Sequence, residues 1–174
     1  MNEPPTSQPV GHIKPLTADD VASLRRLATD IWHAHYARII SNAQIEYMLE
    51  HRYNEALVRS ELRREDLWWD KLLVDECMAG FSSYFVIADA PVMKLDKLYV
   101  HGRYQRKGFG GLMLRRACET ARNKNCRTLR LTVNKRNDAA VAAYAKHGFK
   151  VTASIVQDIG GGFVMDDFVM ERTV

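Results

Sequence analysis

Apolar residues in the first third of the chain recur at helical spacing. Val21, Leu24, Leu27 and Ile31 lie three or four residues apart, and this spacing places side chains on one face of an α-helix. The pattern predicts a helix that begins near Asp20 and runs to about residue 39, after a first strand over residues 10–16. A capping pattern at residues 41–44, followed by apolar residues at positions 45, 48 and 49, predicts another helix. The apolar residues at positions 57, 58 and 62 predict a further helical stretch.

The pattern then becomes extended. Residues 67–74 and 78–88 are rich in aromatic and β-branched residues and flank Asp75–Glu76, which predicts a β-hairpin. After Pro91, residues 94–101 alternate between apolar and polar positions and predict a third strand of this region.

Helices alternate with strands in the remainder of the chain. The pattern predicts a helix over 108–125, a strand over 128–133, a helix from Asn137 to His147–Gly148, and strands over 149–159 and 163–171. This order predicts an α/β (α+β) domain with a mixed, mostly antiparallel sheet flanked by helices, not a doubly wound one. With 174 residues, we expect a single domain over residues 10–174 and a disordered, proline-rich tail over residues 1–9.

Composition narrows the functional classes. No apolar run is long enough for a transmembrane helix, so no membrane association is expected. The three cysteines, Cys77, Cys118 and Cys126, lack metal-ligand spacing and are typical of free thiols in a reducing cytoplasm; no metal site is expected. The chain has a net charge of +4, and positive side chains are dense at Arg103, Arg106 and Lys107. A local cluster of this kind favours a small phosphorylated ligand over nucleic acid.

Glycines follow this basic cluster at the junction between a strand and a helix. The segment Gln105–Gly111 reads QRKGFGG, and glycine lets the backbone approach a ligand closely. The first amides of the helix that follows have no intrahelical partner and form an anion site with the helix dipole. We therefore predict that the segment binds a pyrophosphate.

Among phosphate-binding motifs, a P-loop is absent and the dinucleotide fingerprint lacks its last glycine. The third pattern, [Q/R]-x-x-G-x-[G/A], is matched by Gln105, Gly108 and Gly110. Leu98–Tyr99–Val100 followed by this turn resembles the acetyl-CoA-binding segment of the GNAT superfamily of N-acetyltransferases. A second segment, Asn134, Asn137, Ala140, Tyr144 and Gly148–Phe149, resembles the segment that comes next in that family.

The resemblance implies a sheet that splays at the acyl-CoA site and a set of residues that bind acetyl-CoA. The strand edge at Leu98–Val100 would pair with the pantetheine arm. Asn137 would contact this arm, cap its own helix, or do both. Many relatives carry proline and an acidic residue where this chain has Gly102–Arg103. The cofactor-binding residues implied are Leu98, Tyr99, Val100, Arg103, Gln105, Arg106, Lys107, Gly108, Phe109, Gly110, Gly111, Asn134, Asn137, Ala140 and Tyr144.

The resemblance also implies catalytic roles. Tyr144 matches the acid that stabilises the leaving thiolate. An acceptor amine of pKa ~10.4 is almost fully protonated at pH 7, so a base or a water chain must remove a proton. Asp96, expected on the same strand face as Leu98, is the first candidate for this base and for substrate binding; a merely ion-paired acid is the alternative.

Other side chains are weaker candidates. His101 is a second candidate for the base. Tyr36, with His33 and His35, is expected to line the acceptor cleft, and Asp166–Asp167 face either this cleft or water.

These observations predict an N-acetyltransferase that moves an acetyl group from acetyl-CoA to a primary amine by direct attack. A small amine or a peptide amine would be the acceptor, and polyamine acetyltransferases are one related group. The rival hypothesis is a non-catalytic acyl-CoA-binding sensor. Pairing of two copies through the last strands, around Gly160 to Glu171, is an expectation from the resemblance alone.

Overall fold

A computed structural model describes residues 9–174 of the chain, and the tail expected over residues 1–9 lies almost wholly outside the described residues. Seven strands form one sheet, and five α-helices accompany it. The strands are β1 (Gly11–Pro15), β2 (Leu67–Val74), β3 (Cys77–Val86), β4 (Val92–Val100), β5 (Thr128–Asn134), β6 (Lys150–Gly160) and β7 (Phe163–Thr173). The helices are α1 (Val21–Tyr36), α2 (Asn42–Tyr53), α3 (Glu55–Glu61), α4 (Phe109–Asn123) and α5 (Asp138–Lys146).

The sheet has the strand order β1-β2-β3-β4-β5-β7-β6. Only β4 and β5 run parallel, and every other neighbouring pair is antiparallel. The fold class predicted from the sequence, a mixed and mostly antiparallel sheet flanked by helices, is confirmed. Because α4 connects the two parallel strands, β4, α4 and β5 form the one crossover unit that places a helix N-terminus at a strand end.

The parallel pairing of β4 with β5 is short. It covers Val92 to Leu95 on β4 and Thr128 to Leu131 on β5, and the two strands then separate. Five residues of β4 and three of β5 extend beyond the last pair. The expected splay of the sheet is therefore present, and it begins after Leu95.

A β-bulge lies at the point where the strands separate. Ser83 of β3 is opposite Lys97, and the next residue, Tyr84, is opposite Leu95, which leaves Asp96 as the extra residue on β4. Such an insertion changes which face of the sheet each later side chain occupies. Leu95 packs with the α4 side of the core, whereas Tyr99 packs with the α1 side.

Hydrophobic residues cover both faces of the sheet. On one face, Trp69 and Phe81 pack against α1, α2 and α3. On the other face, Tyr84 and Leu131 pack against α4, with α5 lying partly against the same cluster. The domain is thus a three-layer arrangement, and the separation of β4 and β5 opens a passage between the two layers of helices.

The predicted hairpin at Asp75–Glu76 is confirmed. Both residues adopt left-handed backbone conformations, with φ of 49° and 59°, which are the conformations that a two-residue type I′ turn requires. The first helix is shorter than the prediction and ends at Tyr36 instead of residue 39, because the chain closes there in a turn in which Ile39 and Ile40 both donate to the Tyr36 carbonyl.

β1 and β6 are the two edge strands of the sheet, and most residues of β6 are exposed, Val151 and Val156 among them. The pairing of two copies through the last strands stays a prediction. Within residues 9–174, none of the helices has the length and apolar character needed to cross a membrane.

We expect Gly80→Ala to destabilise the protein by about 1–3 kcal/mol. A Cβ at Gly80 would lie 2.5 Å from the Tyr99 carbonyl oxygen and 3.3 Å from the Val100 Cα, so the backbones of β3 and β4 would have to separate. Urea unfolding would measure this. Gly102→Ala is the matched control, because its Cβ would meet no atom within 4 Å; equal stability of the two variants would contradict the prediction.

Candidate active site

A cleft of about 770 Å³ passes through the opening between β4 and β5. Its walls come from α1 and α2 on one face of the sheet, from α4 and α5 on the other, and from the ends of β4 to β7. The short parallel pairing of β4 and β5 is what creates this cleft, since a complete ladder would close it.

At one end of the cleft, the loop after β4 turns into α4. Gly108 is the N-cap of α4 and has a φ of 83°, in the left-handed region where glycine avoids the strain of a Cβ. Leu112 is the first residue whose amide donates back, to the Gly108 carbonyl at 3.1 Å. The amides before it have no intrahelical partner, and the helix dipole favours an anion there.

The loop has the shape and charge that a pyrophosphate needs. A Cβ built at Gly108 or Gly110 would meet no atom within 4 Å, so open space lies in front of both backbones. Arg106 lines the cleft in a left-handed conformation with φ of 59°. The Gln105 side chain donates to the Val100 carbonyl at 2.9 Å and joins the loop to the end of β4.

Most of the predicted cofactor residues meet in this cleft, but some do not. The cleft is lined by Leu98, Tyr99, Val100, Gln105, Arg106, Gly110, Gly111, Asn134, Asn137, Ala140 and Tyr144. Four predicted residues, Arg103, Lys107, Gly108 and Phe109, are not among the lining residues. Phe109 is 5% exposed and packs in the core with Leu72 and Met113, so only its backbone amide is available to an anion. Lys107 and Arg103 are exposed cations beside the loop.

Three tyrosines line the middle of the cleft. The hydroxyls of Tyr36 and Tyr99 are 3.3 Å apart and hydrogen-bonded. Tyr144 of α5 is half-buried, packs edge-on against Phe149, and has no hydrogen-bond partner for its hydroxyl among the described residues. Burial raises the pKa of Tyr144, and the nearby Tyr36 adds to this rise. The phenol therefore stays protonated at neutral pH and is free to donate.

Asn137 holds the helix that carries Tyr144. Its side chain accepts a hydrogen bond from the Ala140 amide at 3.3 Å, the geometry of an N-cap. Asn134, at the end of β5, accepts from the Arg136 amide at 2.9 Å. Both asparagines are buried and line the cleft, so they fix the loop between β5 and α5 where the strands have separated.

The structure places Asp96 in the cleft wall, but in an environment that does not suit a base. Arg52 of α2 donates to both carboxylate oxygens at 2.8 Å, and the Lys97 ammonium lies 2.5 Å from one of them. Burial alone would raise the pKa of Asp96, but Lys97 and Arg52 outweigh it and hold that pKa well below its usual range. A general base needs a free lone pair and a pKa near the working pH.

Asp96 and Leu98 also do not share a strand face, contrary to the expectation from alternation. Asp96 is the bulged residue and contacts α2, whereas Leu98 packs against the clusters on the α4 side. The bulge is the physical reason for the difference, because it shifts the alternation by one residue.

The histidines occupy different surroundings. His101 lies outside the cleft lining and accepts a hydrogen bond from the Arg103 amide at 3.3 Å. His33 pairs with Glu46 at 2.9 Å. His35 and Tyr36 both line the cleft, as expected from their position at the end of the first helix.

Sequence reasoning missed two side chains of the site and left a third undecided. Arg52 and Lys97, which neutralise Asp96, were not predicted; a lysine in the middle of an apolar strand was the available signal. Asp167 is 8% exposed and lines the cleft, whereas Asp166 is exposed and pairs with Lys135. Strand alternation could have separated the two aspartates, because Met170 faces the opposite core.

The glycine-containing loop before α4 (the phosphate-type loop, residues 105–108), the separated strands β4 and β5, and the tyrosine hydroxyl in the cleft are the features expected of an acyl-CoA-dependent acyltransferase. The model of the Acetyltransferase (GNAT) family matches residues 22–149 of the chain. The chain belongs to this family, and the predicted class, an acyl-CoA-dependent N-acetyltransferase that uses acetyl-CoA, is confirmed.

Several relatives resemble the chain over nearly its whole length. A spermidine N(1)-acetyltransferase of Thermoplasma acidophilum is 29% identical over 164 residues, which are 92% of this chain and 95% of the relative. The crystal structure of PaiA N-acetyltransferase from the same organism, in complex with coenzyme A, has a TM-score of 0.82 at 27% identity and covers 95% of this chain and 99% of its own. A GNAT-family acetyltransferase from Streptococcus pneumoniae shares the fold, with a TM-score of 0.73 at 21% identity, 95% coverage of this chain and 99% of its own.

We expect Gly110→Ala to weaken coenzyme A binding on the order of tenfold while leaving stability unchanged or higher by up to ~1 kcal/mol. The new methyl group would stand in the open space in front of the loop, and alanine is the better helix former. Calorimetric titration with CoA and urea unfolding would measure the two effects. Gly102→Ala serves as control, because its Cβ is equally free but does not line the cleft. Equal CoA affinities for Gly110→Ala and Gly102→Ala would contradict the prediction.

Asp96→Asn should destabilise the protein by about 3 kcal/mol at pH 7, because it leaves Arg52 and Lys97 without their counter-charge. The folded-state pKa of Asp96 is depressed, so its contribution is present above the unfolded-state value of ~3.9 and is lost as the pH falls toward the folded value. The difference in unfolding free energy between wild type and variant should therefore shrink below about pH 4. A difference that stays constant between pH 7 and pH 3 would contradict this account.

Proposed function

We propose that this protein acetylates a primary aliphatic amine by direct attack of that amine on the thioester of acetyl-CoA. One observation carries the proposal most strongly. The hydroxyl of Tyr144 is protonated, faces the cleft and has no partner among the described residues. A donor kept free in this way is available to a charge that develops during the reaction.

In the proposed reaction, the nitrogen of the acceptor forms a bond to the carbonyl carbon and the bond from that carbon to sulfur breaks. The acceptor ammonium first loses one proton to water or to a side chain, which frees the lone pair of the nitrogen for attack. After the bond to carbon has formed, the nitrogen loses a second proton to water, and the electron pair of the broken bond leaves with sulfur as the CoA thiolate. The Tyr144 hydroxyl donates a hydrogen bond to the departing sulfur. Because its pKa is raised above the ordinary ~10 and a thiol has ~8.5, stabilisation by this hydrogen bond contributes more than complete proton transfer.

The cofactor side of the cleft would be built by three groups. The edge of β4 from Leu98 to Val100 would pair with the pantetheine arm, as an added strand does. The loop from Arg106 to Gly111 would bind the pyrophosphate with its amides and its arginine. Asn137 would hold α5 in place, so that Tyr144 reaches the thioester.

The acceptor side is formed by α1, α2 and the ends of β6 and β7. We propose a small aliphatic amine such as spermidine as the acceptor class, with the similarity to the Thermoplasma spermidine acetyltransferase as support. In this proposal, Tyr36 lines the acceptor site, and Asp96 keeps Arg52 and Lys97 neutralised at its wall instead of moving the proton.

Tyr144→Phe should lower kcat by about 10²- to 10³-fold with the best amine acceptor, while the Kd for CoA changes by less than about twofold. The variant loses the hydroxyl that is proposed to donate to the leaving sulfur, and it keeps the aromatic ring that packs against Phe149. Release of free CoA thiol from acetyl-CoA, measured with spermidine, spermine, free amino acids and short peptides, gives the rate.

Tyr104→Phe is the matched control, because Tyr104 does not line the cleft. Equal kcat values for the two variants would overturn the role of Tyr144. CoA binding without turnover on any amine would favour the acyl-CoA-binding sensor instead.

A further inference from the structure

Asp167 of β7 is a buried carboxylate that has no hydrogen-bond or ion-pair partner in the described part of the chain. Its Oδ1 atom is one of three buried side-chain polar atoms that have no hydrogen-bond partner among residues 9–174; the other two are the hydroxyls of Ser82 and Ser83. Neither serine lines the cleft, whereas Asp167 does. Asp167 is only 8% exposed, and burying an unpaired ionisable group destabilises a fold. A ligand that pairs with the carboxylate would offset this destabilisation.

The position of Asp167 is fixed by the sheet. It lies opposite Asn134 at the end of β5 and opposite Ile155 of β6, next to the opening between β4 and β5. Asp167 lines the same cleft as Tyr36, Tyr99 and Tyr144, and the hydroxyls of Tyr36 and Tyr99 are hydrogen-bonded at 3.3 Å. Burial raises the pKa of Tyr36, and the charge of Asp167 adds to this rise. The carboxylate therefore shares the cleft with the three tyrosines.

Nearby cations of the protein do not neutralise this carboxylate. Lys135 forms its ion pair with Asp166, which points away from the cleft. Lys94 is near enough to act on Asp167 through its charge, but the two make no ion pair in the described part of the chain. Burial raises the pKa of Asp167 and Asp166 adds to the rise, while Lys94 and Lys135 oppose it. The Asp167 carboxylate therefore makes no ion pair or hydrogen bond within residues 9–174. Its Oδ1 atom is fully buried, so the other carboxylate oxygen, Oδ2, is the one that a cation in the cleft can reach.

The chemistry of the site determines which ligand can pair with this carboxylate. A phosphate would be repelled by the carboxylate, and the phosphate-type loop lies elsewhere, at the N-terminus of α4. A protonated amine carries both the donors and the charge that an unpaired carboxylate lacks. We propose that Asp167 is the ammonium-binding residue of the acceptor site and that it holds the amine beside the tyrosines. This inference rests on the proposed function, since it specifies how the acceptor is bound.

The test compares Asp167→Asn with Asp166→Asn, two neutralisations at neighbouring positions of one strand. Spermidine is titrated calorimetrically into the CoA-loaded protein, and KM and kcat for spermidine are measured with acetyl-CoA. For Asp167→Asn we expect the Kd and the KM for spermidine to rise about 10- to 100-fold, because a charge-assisted hydrogen bond is lost. Asp166→Asn should stay within about twofold of wild type, since its carboxylate is exposed. Asp167→Glu, which keeps the charge, should recover part of the affinity.

Two further measurements separate binding from a structural role. The Kd for CoA should be unchanged in Asp167→Asn, and its unfolding free energy should be equal to or higher than that of wild type, because an unpaired buried charge has been removed. An amine affinity that changes no more than in Asp166→Asn would overturn the proposal. So would a loss of CoA affinity in place of amine affinity, which would assign the carboxylate to an amide of the pantetheine arm.

The two proposals can fail independently. Amine binding by the wild type that depends on Asp167, without turnover, would support the ammonium site and refute the acetyl transfer to that amine. Turnover that does not depend on Asp167 would support acetyl transfer and refute the ammonium site.

Discussion

The short parallel pairing of β4 with β5 is the constraint on which the rest of the site depends. Four residue pairs join the strands, and the bulge at Asp96 begins where the pairing stops. Continued pairing would give hydrogen-bond partners to more backbone N–H and C=O groups of β4 and β5. The separation of the strands is therefore unfavourable unless water or a ligand hydrogen-bonds to these groups. The gap leaves a strand edge facing the cleft and joins the two layers of helices by one passage. The bulge at Asp96 shifts the alternation of the side chains after Leu95, so that Tyr99 reaches the layer of α1.

Charge is distributed unequally along this passage. The loop before α4 presents Arg106 and free amides, while Asp96 is fully compensated by Arg52 and Lys97 in the opposite wall. Two other carboxylates line the cleft: Asp158, which accepts a hydrogen bond from the Gly160 amide, and the buried Asp167, which has no partner among residues 9–174. Positive charge and free amides therefore lie at the loop before α4, whereas the carboxylate of Asp167 lies on β7, and the uncharged tyrosines line the same cleft. Phenols held protonated by burial suit this cleft, because they add donors without adding a charge that either ligand would have to oppose.

The fold and the cofactor side of the site could be predicted largely from sequence, because both depend on local signals. The hairpin at Asp75–Glu76, the N-cap at Asn137 and the glycines before α4 each specify a backbone conformation within a few residues. The opposite wall of the cleft depends on contacts between segments that are distant in sequence, such as Arg52 with Asp96, and a local sequence pattern does not predict such contacts. Asp96 illustrates the limit: simple alternation places Leu98 on the same face as Asp96, but the one-residue bulge moves Leu98 to the α4 side while Asp96 contacts α2. Alternation along β7 separates Asp167 from Asp166, but which of the two faces borders the cleft follows from the packing of the strand in the folded sheet.

The position of β7 has a consequence for how the protein is made. β7 follows β6 in the chain but lies between β5 and β6 in the sheet, so β5 has no antiparallel neighbour until β7 has been synthesised. Domains begin to organise from their N-terminal side during translation. A nascent chain would therefore complete the phosphate-type loop and α4 first, and would gain the wall that carries Asp167 only when β6 and β7 dock as a hairpin. The cleft thus lacks the wall formed by β6 and β7, with the Asp167 carboxylate, until the end of the chain has been synthesised.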